Sequence, residues 1–282
     1  MPNRKGKIAF QGEPGANSDT ACRNVYPKME PLPCPTFEDA FEALKRGDSD
    51  LAMIPIENTL AGRVADIHLL LPSSGFHIIG EYFLPIHFHL MALPGVSMDE
   101  ITTVYSHVHA LGQCREIIRQ NGWKGVVAGD TAGAARMIAD SGDRTAAALS
   151  PPLAADLYNM NILQENVQDA DHNITRFVIL SREPEVPAVE DGPAITTFVF
   201  RVRNVPAALY KVMGGFATNN VNMTKLESYQ IGGTFTATLF YADIEGHPDQ
   251  QSVKFAMEEL EFFSAERTIL GVYPAAAQRG VS

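Results

Sequence analysis

Short apolar runs alternate along the first two thirds of the chain with stretches whose apolar positions recur at helical spacing. The run KIAFQ reads as a strand. In TFEDAFEALKRG, Phe37, Ala40, Phe41 and Leu44 fall at i, i+3, i+4 and i+7, one stripe of a helix. Thr36 is placed to cap that helix, Asp39 to complete a capping box, and Gly47 to end it. DLAMIPI is the next strand, and TTVYSH, GVVAG and TAAALS each precede a helix-like stretch. Strand followed by helix, repeated, predicts an α/β fold with largely parallel sheet and helices on its faces, here as two units with a cleft between them.

The order changes past SREPEVPAVEDGPA (181–194), which holds three prolines and four acids and reads as an exposed linker, with a boundary near Pro187. Beyond it, AITTFVFRV is a strand, AALYKVMGGFATN a helix, NMTKLESYQ and TFTATLFYADI two strands flanking Gly232-Gly233, PDQQSVKFAMEELEFF a helix and RTILGVYP a last strand. The Gly pair suits a hairpin turn. The sequence of elements, βαββαβ, is that of the ferredoxin-like split unit. The expected domains are residues 1–186 in two lobes (1–82 with 165–186, and 83–164), a linker at 187–193, a separate βαββαβ unit at 194–275 and a tail at 276–282.

Composition narrows the functional classes. The chain has 282 residues, 45% hydrophobic and 20% charged, with a formal net charge of -11. That length suits about two domains. No dense Lys/Arg run is present, which argues against nucleic acid as a partner, while a locally positive cleft for a small anion stays compatible with the overall charge. Cys22, Cys34 and Cys114 are odd in number and form no C-x-x-C, so neither a disulfide framework nor a thiolate zinc site is expected. MPNRKGKIAF lacks the apolar core of a secretory signal, and no apolar run approaches a bilayer span. The expectation is a cytoplasmic protein with no membrane partner.

Ligand sites in open α/β sheets gather where strands end. After KIAFQ comes GEPGANSDTA, where Gly12 and Gly15 permit tight turns and Asn17 or Ser18 could cap a helix. This is either an ordinary strand–helix turn or an anion-binding helix start; it is not a P-loop, because no G-K-[ST] follows. After LAMIP come Glu57, Asn58 and Thr59, a carboxylate, an amide and a hydroxyl in succession, either a capped turn or part of a site. After TTVY comes SHVHALGQCREII, with Ser106 as a potential cap, Leu111, Cys114 and Ile118 facing inward, and Gln113 close to the helix start. His107 with His109, and His87 with His89, are i, i+2 pairs with no identifiable third ligand, which argues against zinc. In DHNITRFVIL, Asn173, Thr175 and Arg176 put an amide, a hydroxyl and a cation at the mouth of a buried strand. Strand alternation places Thr175 and Arg176 on opposite faces, and Arg176 could equally pair with an acid such as Asp171.

Four of these segments together resemble the prephenate dehydratase family: AFQGEPGANSDTA, PIENTLAG, SHVHALGQC and NITRF, in that order, over about residues 7–182. The region after the linker is similar to the family's C-terminal ACT regulatory domain. The resemblance implies a two-lobed catalytic domain like type II periplasmic binding proteins, a monofunctional enzyme, and a cofactor-free lyase reaction that turns prephenate into phenylpyruvate in phenylalanine biosynthesis. It implies substrate contacts from Asn58, Ser106 and Gln113, with Thr59, Asn173 and Arg176 beside them. Thr175 is the expected proton or hydrogen-bond donor to the departing hydroxyl, and Glu57 a second candidate acid if burial raises its pKa. For the regulatory unit it implies an amino-acid effector, phenylalanine, near Ala207, Ala208, Leu209, Asn222, Glu227 and Ser228, and a homodimer or homotetramer. Two positions depart from the family: Ala207-Ala208-Leu209 stands for G-A-L, adding a methyl where a small residue admits a ligand, and Glu227-Ser228-Tyr229-Gln230 for E-S-R-P. The alternatives are an arogenate dehydratase, which shares these motifs, and a non-catalytic bilobal sensor.

Overall fold

The computed structural model describes residues 3–203, 205–230 and 238–280. Its contacts divide the chain into two compact units, residues 1–64 with 83–177, and residues 65–82 with 178–282. The expected boundary near Pro187 therefore lies inside the second unit, because residues 65–82 find their packing partners after the linker.

The first unit opens with β1 (Gly6–Gln11), α1 (Asn17–Val25), β2 (Met29–Cys34), α2 (Phe37–Arg46), β3 (Leu51–Asn58) and β4 (Gly62–Arg63). β1 is parallel to both β2 and β3, so its Ile8, Ala9 and Phe10 are covered on both faces and fully buried. The expected box starts α2: Asp39 N donates to Thr36 Oγ1 at 3.1 Å and Thr36 N donates to Asp39 Oδ2 at 3.2 Å. Such a cap is worth about 1 kcal/mol. Gly47 ends the helix at φ 82°. At α1 neither Asn17 nor Ser18 caps. Ala16 holds the N-cap position, and the buried Asp19 instead accepts from Gly15 N at 2.9 Å and binds Arg23 at 2.8 Å.

The chain then contributes α3 (Ala65–Ser74) and most of β5 (His77–Pro85) to the second unit. It returns to build β6 (His89–Ala92), β7 (Thr103–Ser106), α4 (Val108–Gln113), α5 (Arg115–Gln120), β8 (Lys124–Val127), α6 (Thr131–Ser141), β9 (Ala146–Ser150), α7 (Pro152–Tyr158) and β10 (Asn161–Gln164). These strands form a second sheet in the order β10-β6-β9-β7-β8. β7 is parallel to β8 and β9, whereas β6 runs antiparallel to β9 and β10. Alanines at 132, 134, 135, 146, 148 and 154 make its core, so α6 and α7 lie close on the sheet. β11 (Ile174–Ser181) follows β3 in the first sheet, whose order is β2-β1-β3-β11-β5 with β4 on β3; β11 passes into the second unit after Phe177.

The second unit continues with β12 (Ala194–Val202), α8 (Ala208–Thr218), β13 (Met223–Gln230), β14 (Thr238–Glu245), α9 (Gln251–Phe263) and β15 (Ser264–Pro274). The sheet order β13-β14-β12-β15 is antiparallel throughout, the ferredoxin-like arrangement that βαββαβ predicts. β15 starts three residues before the expected run, and the Gly232-Gly233 turn lies outside the described residues. Phe198, Phe200, Val212, Phe216, Val253 and Leu260 pack the helices onto one sheet face. The other face carries Thr197, Tyr241, Asp243 and Tyr273, which are fully buried. There α3 sets His68 edge-on to Tyr241 at 5.0 Å, and Glu81 of β5 accepts from Arg279 Nε and Nη2 at 2.6 and 2.8 Å. Gly271 is required in β15 because a Cβ there would fall on the Ile78 carbonyl. Among the described residues, no helix is long and apolar enough to cross a membrane.

Candidate active site

The end of β3 and the start of β11 are stapled by one threonine. Thr59 N donates to Ile174 O at 3.0 Å, Ile174 N donates to Thr59 Oγ1 at 2.9 Å, and Thr59 Oγ1 donates to His172 O at 2.7 Å. Thr59 therefore holds the loops together. The staple sets Asn58 beside Asn173 and Thr175.

The polarity of this cluster follows from one turn. Leu60 N and Ala61 N both donate to Asn58 Oδ1, at 2.9 and 2.8 Å. Asn58 Nδ2 must then face the other way, where it donates to Asn173 Oδ1 at 2.7 Å, Thr175 Oγ1 at 2.9 Å and Ile174 O at 3.2 Å. Asn173, only 2% exposed, passes the pattern on by donating from Nδ2 to Gln113 Oε1 at 2.7 Å. Asn58, Asn173, Thr175 and Gln113 thus come together from β3, β11 and α4. Because the Thr175 oxygen accepts from an amide, its hydroxyl hydrogen is left to donate elsewhere.

Arg176 points to the other face, as alternation predicts, and is 2% exposed. The acid beside it is Glu57, whose Oε1 accepts from Nη1 at 2.9 Å. A buried guanidinium at that distance favours the ionised carboxylate. Glu57 is thus ion-paired with Arg176 and 33% exposed, so it is less buried than the expectation assumed.

Two further expectations are corrected. Ser106 is fully buried and its Oγ donates to Leu149 O at 2.6 Å, while the N-cap of α4 is His107, whose Nδ1 accepts from His109 N at 3.4 Å. Ser106 thus ties β7 to β9. The single helix read through SHVHALGQCREII is two, broken at Cys114. Asp169 causes the break: its carboxylate accepts from Arg115 N at 2.9 Å and Glu116 N at 3.1 Å, and its own N donates to Gln113 O at 2.7 Å. Gln113 accordingly sits at the end of α4, not in its first turns. It lines a cavity of about 470 Å³ with Leu60, Ala61, His109, Arg115 and Asp169.

The GEPG turn lies at a second cavity of about 930 Å³, opposite α6. Arg136 binds Glu13 at 3.1 Å and Tyr158 donates to Pro14 O at 2.7 Å. Gly15, at φ 89°, lies so close to Ala154 that a Cβ would meet its Cα at 3.0 Å. Asp130 caps α6 through Gly133 N at 2.9 Å, and burial raises its pKa, partly offset by its hydrogen bonds from Gly133 and Ala132. Burial pushes His107 and His89 down. His87 Nδ1 lies 3.2 Å from Gln168 Nε2. Glu13, Arg136 and Asp169 carried no local sequence signal, because each acts on a residue distant in the chain, whereas Asp130 caps the helix that starts beside it.

Comparisons with known proteins show the family. Residues 8–185 fit the family model described as prephenate dehydratase. The chain belongs to the prephenate dehydratase family. It is 47% identical over 96% of its length, and 97% of the relative's, to a bifunctional N-acyl-homoserine lactone acylase/prephenate dehydratase of Komagataeibacter europaeus. It is 36% identical over 95% of its length to arogenate dehydratase 3 of Arabidopsis thaliana, of which 67% is covered. The crystal structure of a prephenate dehydratase from Arthrobacter aurescens in complex with L-Phe superposes with a TM-score of 0.87 at 30% identity, covering 96% of this chain and 91% of that one.

Within the family frame, the residues expected near an effector fall at the start of α8 and along β13. Ala207 is the N-cap of α8 and has φ 62°, a left-handed backbone. An L-residue in that conformation carries backbone strain. Ala208 is buried and Leu209 packs on the core of the unit. Asn222 Nδ2 donates to Glu245 Oε2 at 3.0 Å, Glu227 Oε1 accepts from Lys225 Nζ at 3.3 Å, and Ser228 pairs with Phe240 in the ladder.

Proposed function

We propose that this family member catalyses the decarboxylating dehydration of prephenate to phenylpyruvate, with Thr175 as the group that meets the departing hydroxyl. The observation that carries the assignment is the Asn58 Nδ2 to Thr175 Oγ1 hydrogen bond of 2.9 Å, in which Thr175 accepts, so that its own O–H is not committed to Asn58. In the reaction the bond between the ring and its carboxylate breaks, carbon dioxide leaves, and the electron pair moves through the ring to expel the hydroxyl. Hydroxide is a poor leaving group, so it departs as water on receiving a proton. Thr175 supplies or relays that proton and is reprotonated from solvent. Gain of aromaticity drives the step, and its atoms and electrons balance without a cofactor. Gln113 and Asn58 orient the reactants.

The regulatory part is read as an ACT domain over residues 194–275, joined by a linker at 187–193 to a two-lobed catalytic domain. Its ferredoxin-like topology supports that reading, as does the L-Phe bound by the Arthrobacter aurescens relative. Phenylalanine is the proposed effector, the assembly a homodimer or homotetramer, and the compartment the cytoplasm. Purified protein given prephenate should form phenylpyruvate, followed by mass spectrometry; arogenate is the comparison substrate, expected to be the poorer one. No phenylpyruvate, with phenylalanine formed from arogenate, would reassign the substrate.

A second activity is favoured by the 47% identity to the bifunctional relative over 96% of the chain. On this reading the protein also cleaves the amide of acyl-homoserine lactones. Release of free fatty acid and homoserine lactone tests it, and their absence leaves the dehydratase alone.

A further inference from the structure

We propose that Asn173 is a positioning residue that decides which end of the Gln113 amide meets the substrate. The inference rests on the dehydratase reading of the site and adds a role to it. Asn173 is 2% exposed, so its side chain serves its neighbours and not the solvent. The order of hydrogen bonds is fixed from one end. Two backbone N–H groups, of Leu60 and Ala61, pin Asn58 Oδ1. A backbone donor cannot reverse its role, so Asn58 Nδ2 is compelled to donate to Asn173 Oδ1, at 2.7 Å. Asn173 Nδ2 is compelled in turn to donate to Gln113 Oε1, also at 2.7 Å. Gln113 Nε2 is what remains, and Gln113 lines the cavity of about 470 Å³.

The consequence for specificity is chemical. Asn58 sends one amide hydrogen toward Asn173 and Gln113, and donates also to Thr175 Oγ1 at 2.9 Å. The first path ends in an N–H donor at Gln113 and the second in an O–H donor at Thr175. Both ends are donors, which suits a substrate that carries two carboxylates and a hydroxyl. Were the Gln113 amide reversed, its oxygen would face an anion, a repulsive contact in a partly enclosed site. Asn173, like Asn58 before it, must accept on one side and donate on the other, and it is the member that touches Gln113. An aspartate in its place accepts from Asn58 but, once ionised, has no hydrogen for Gln113 and turns the Gln113 amide around. When protonated it both accepts and donates, and restores the original order.

Asn173→Asp tests this through a pH profile. At neutral pH kcat/KM should fall about 10²-fold, the scale for losing one donor in a transition-state site. The ratio of variant to wild-type kcat/KM should rise by at least about tenfold as the introduced carboxyl is protonated, while Asn173→Ala stays low at every pH. A variant-to-wild-type ratio that is flat across the acidic range, or Asn173→Asp within about threefold of wild type at neutral pH, would overturn the proposal. The second readout needs no activity: the Gln113 side-chain NH₂ resonances, assigned by their loss in Gln113→Glu, exchange with solvent in the wild type and become protected in Asn173→Asp. Asn58→Asp should reverse the same chain from its other end and protect the same resonances, which covers the case of an unfolded Asn173 variant. Unaltered Gln113 exchange in both folded variants refutes the assignment. A wild-type protein that makes no phenylpyruvate refutes the dehydratase reading separately, with the exchange result still deciding the hydrogen-bond order.

Discussion

Asn58 Nδ2 lies 2.9 Å from Thr175 Oγ1 and donates to it. The two residues are 117 positions apart in sequence, and the contact depends on the Thr59 staple between β3 and β11. Thr175→Ala should therefore lower kcat by roughly 10²–10³-fold with a far smaller change in KM. Thr175→Ser keeps the hydroxyl and should retain most of the rate. Steady-state kinetics on both, with matched melting curves, decide it, and unchanged turnover in the alanine variant removes Thr175 from the chemistry.

The Arg176–Glu57 pair has one partner 2% exposed and the other 33% exposed. Glu57→Gln takes one carboxylate away from the buried guanidinium. Because Glu57 is partly exposed, the expected cost is about 1 kcal/mol. Urea unfolding should show that loss as a lower midpoint with an unchanged slope, and the kcat that remains in folded protein should exceed that of Thr175→Ala.

Ala207 holds a left-handed backbone at φ 62°. That conformation costs an L-residue about 1–2 kcal/mol, and the greater freedom of unfolded glycine returns about 0.4–1 kcal/mol of it. Ala207→Gly should thus stabilise the protein by about 0.5–1 kcal/mol in the same urea assay.

His89 is 7% exposed, and burial pushes its pKa down against an opposing influence from Glu165. Its folded value lies below its unfolded value, so the unfolded chain binds the proton more readily. The stability it contributes is present above about pH 6.5 and is lost as pH falls through the folded value. The melting temperature should decline on acidification through this window, and His89→Gln should flatten that decline.

Cys22 and Cys114 are fully buried, with their thiols pushed well above the ordinary range and, for Cys114, up to about 12. Burial raises Cys34 as well. The thiolate is the reactive form. A thiol reagent should label native protein slowly at mildly alkaline pH and the denatured chain at three sites.

What could be read in the sequence was whatever a single window encodes. The nine residues of β12 coincide with the run AITTFVFRV, and the Thr36–Asp39 box and Gly47 bound α2 as their chemistry requires. The site segments were recognisable for the same reason, since PIENT and NITRF are local motifs. Their connections were not. The α4/α5 break is made by Asp169, more than fifty positions downstream, and an acid paired with Arg176, Glu57, is 119 positions upstream. Strands β6 and β10 have four residues each, too short to show a period, and α3 with β5 gave no sign that their partners come after the linker.

That last feature has a consequence for synthesis. As the ribosome extends the chain, Glu81 and Ile78 emerge nearly two hundred residues before Arg279 and Gly271, which complete their surroundings. Residues 77–82 can pair with β11 earlier, but the rest of the cover over residues 65–82 waits for residues 241–279. The sheet of β12–β15 therefore arrives long after the early segment whose burial depends on it. A stop codon in the linker would yield a product with that surface permanently open, a target for chaperones and proteases.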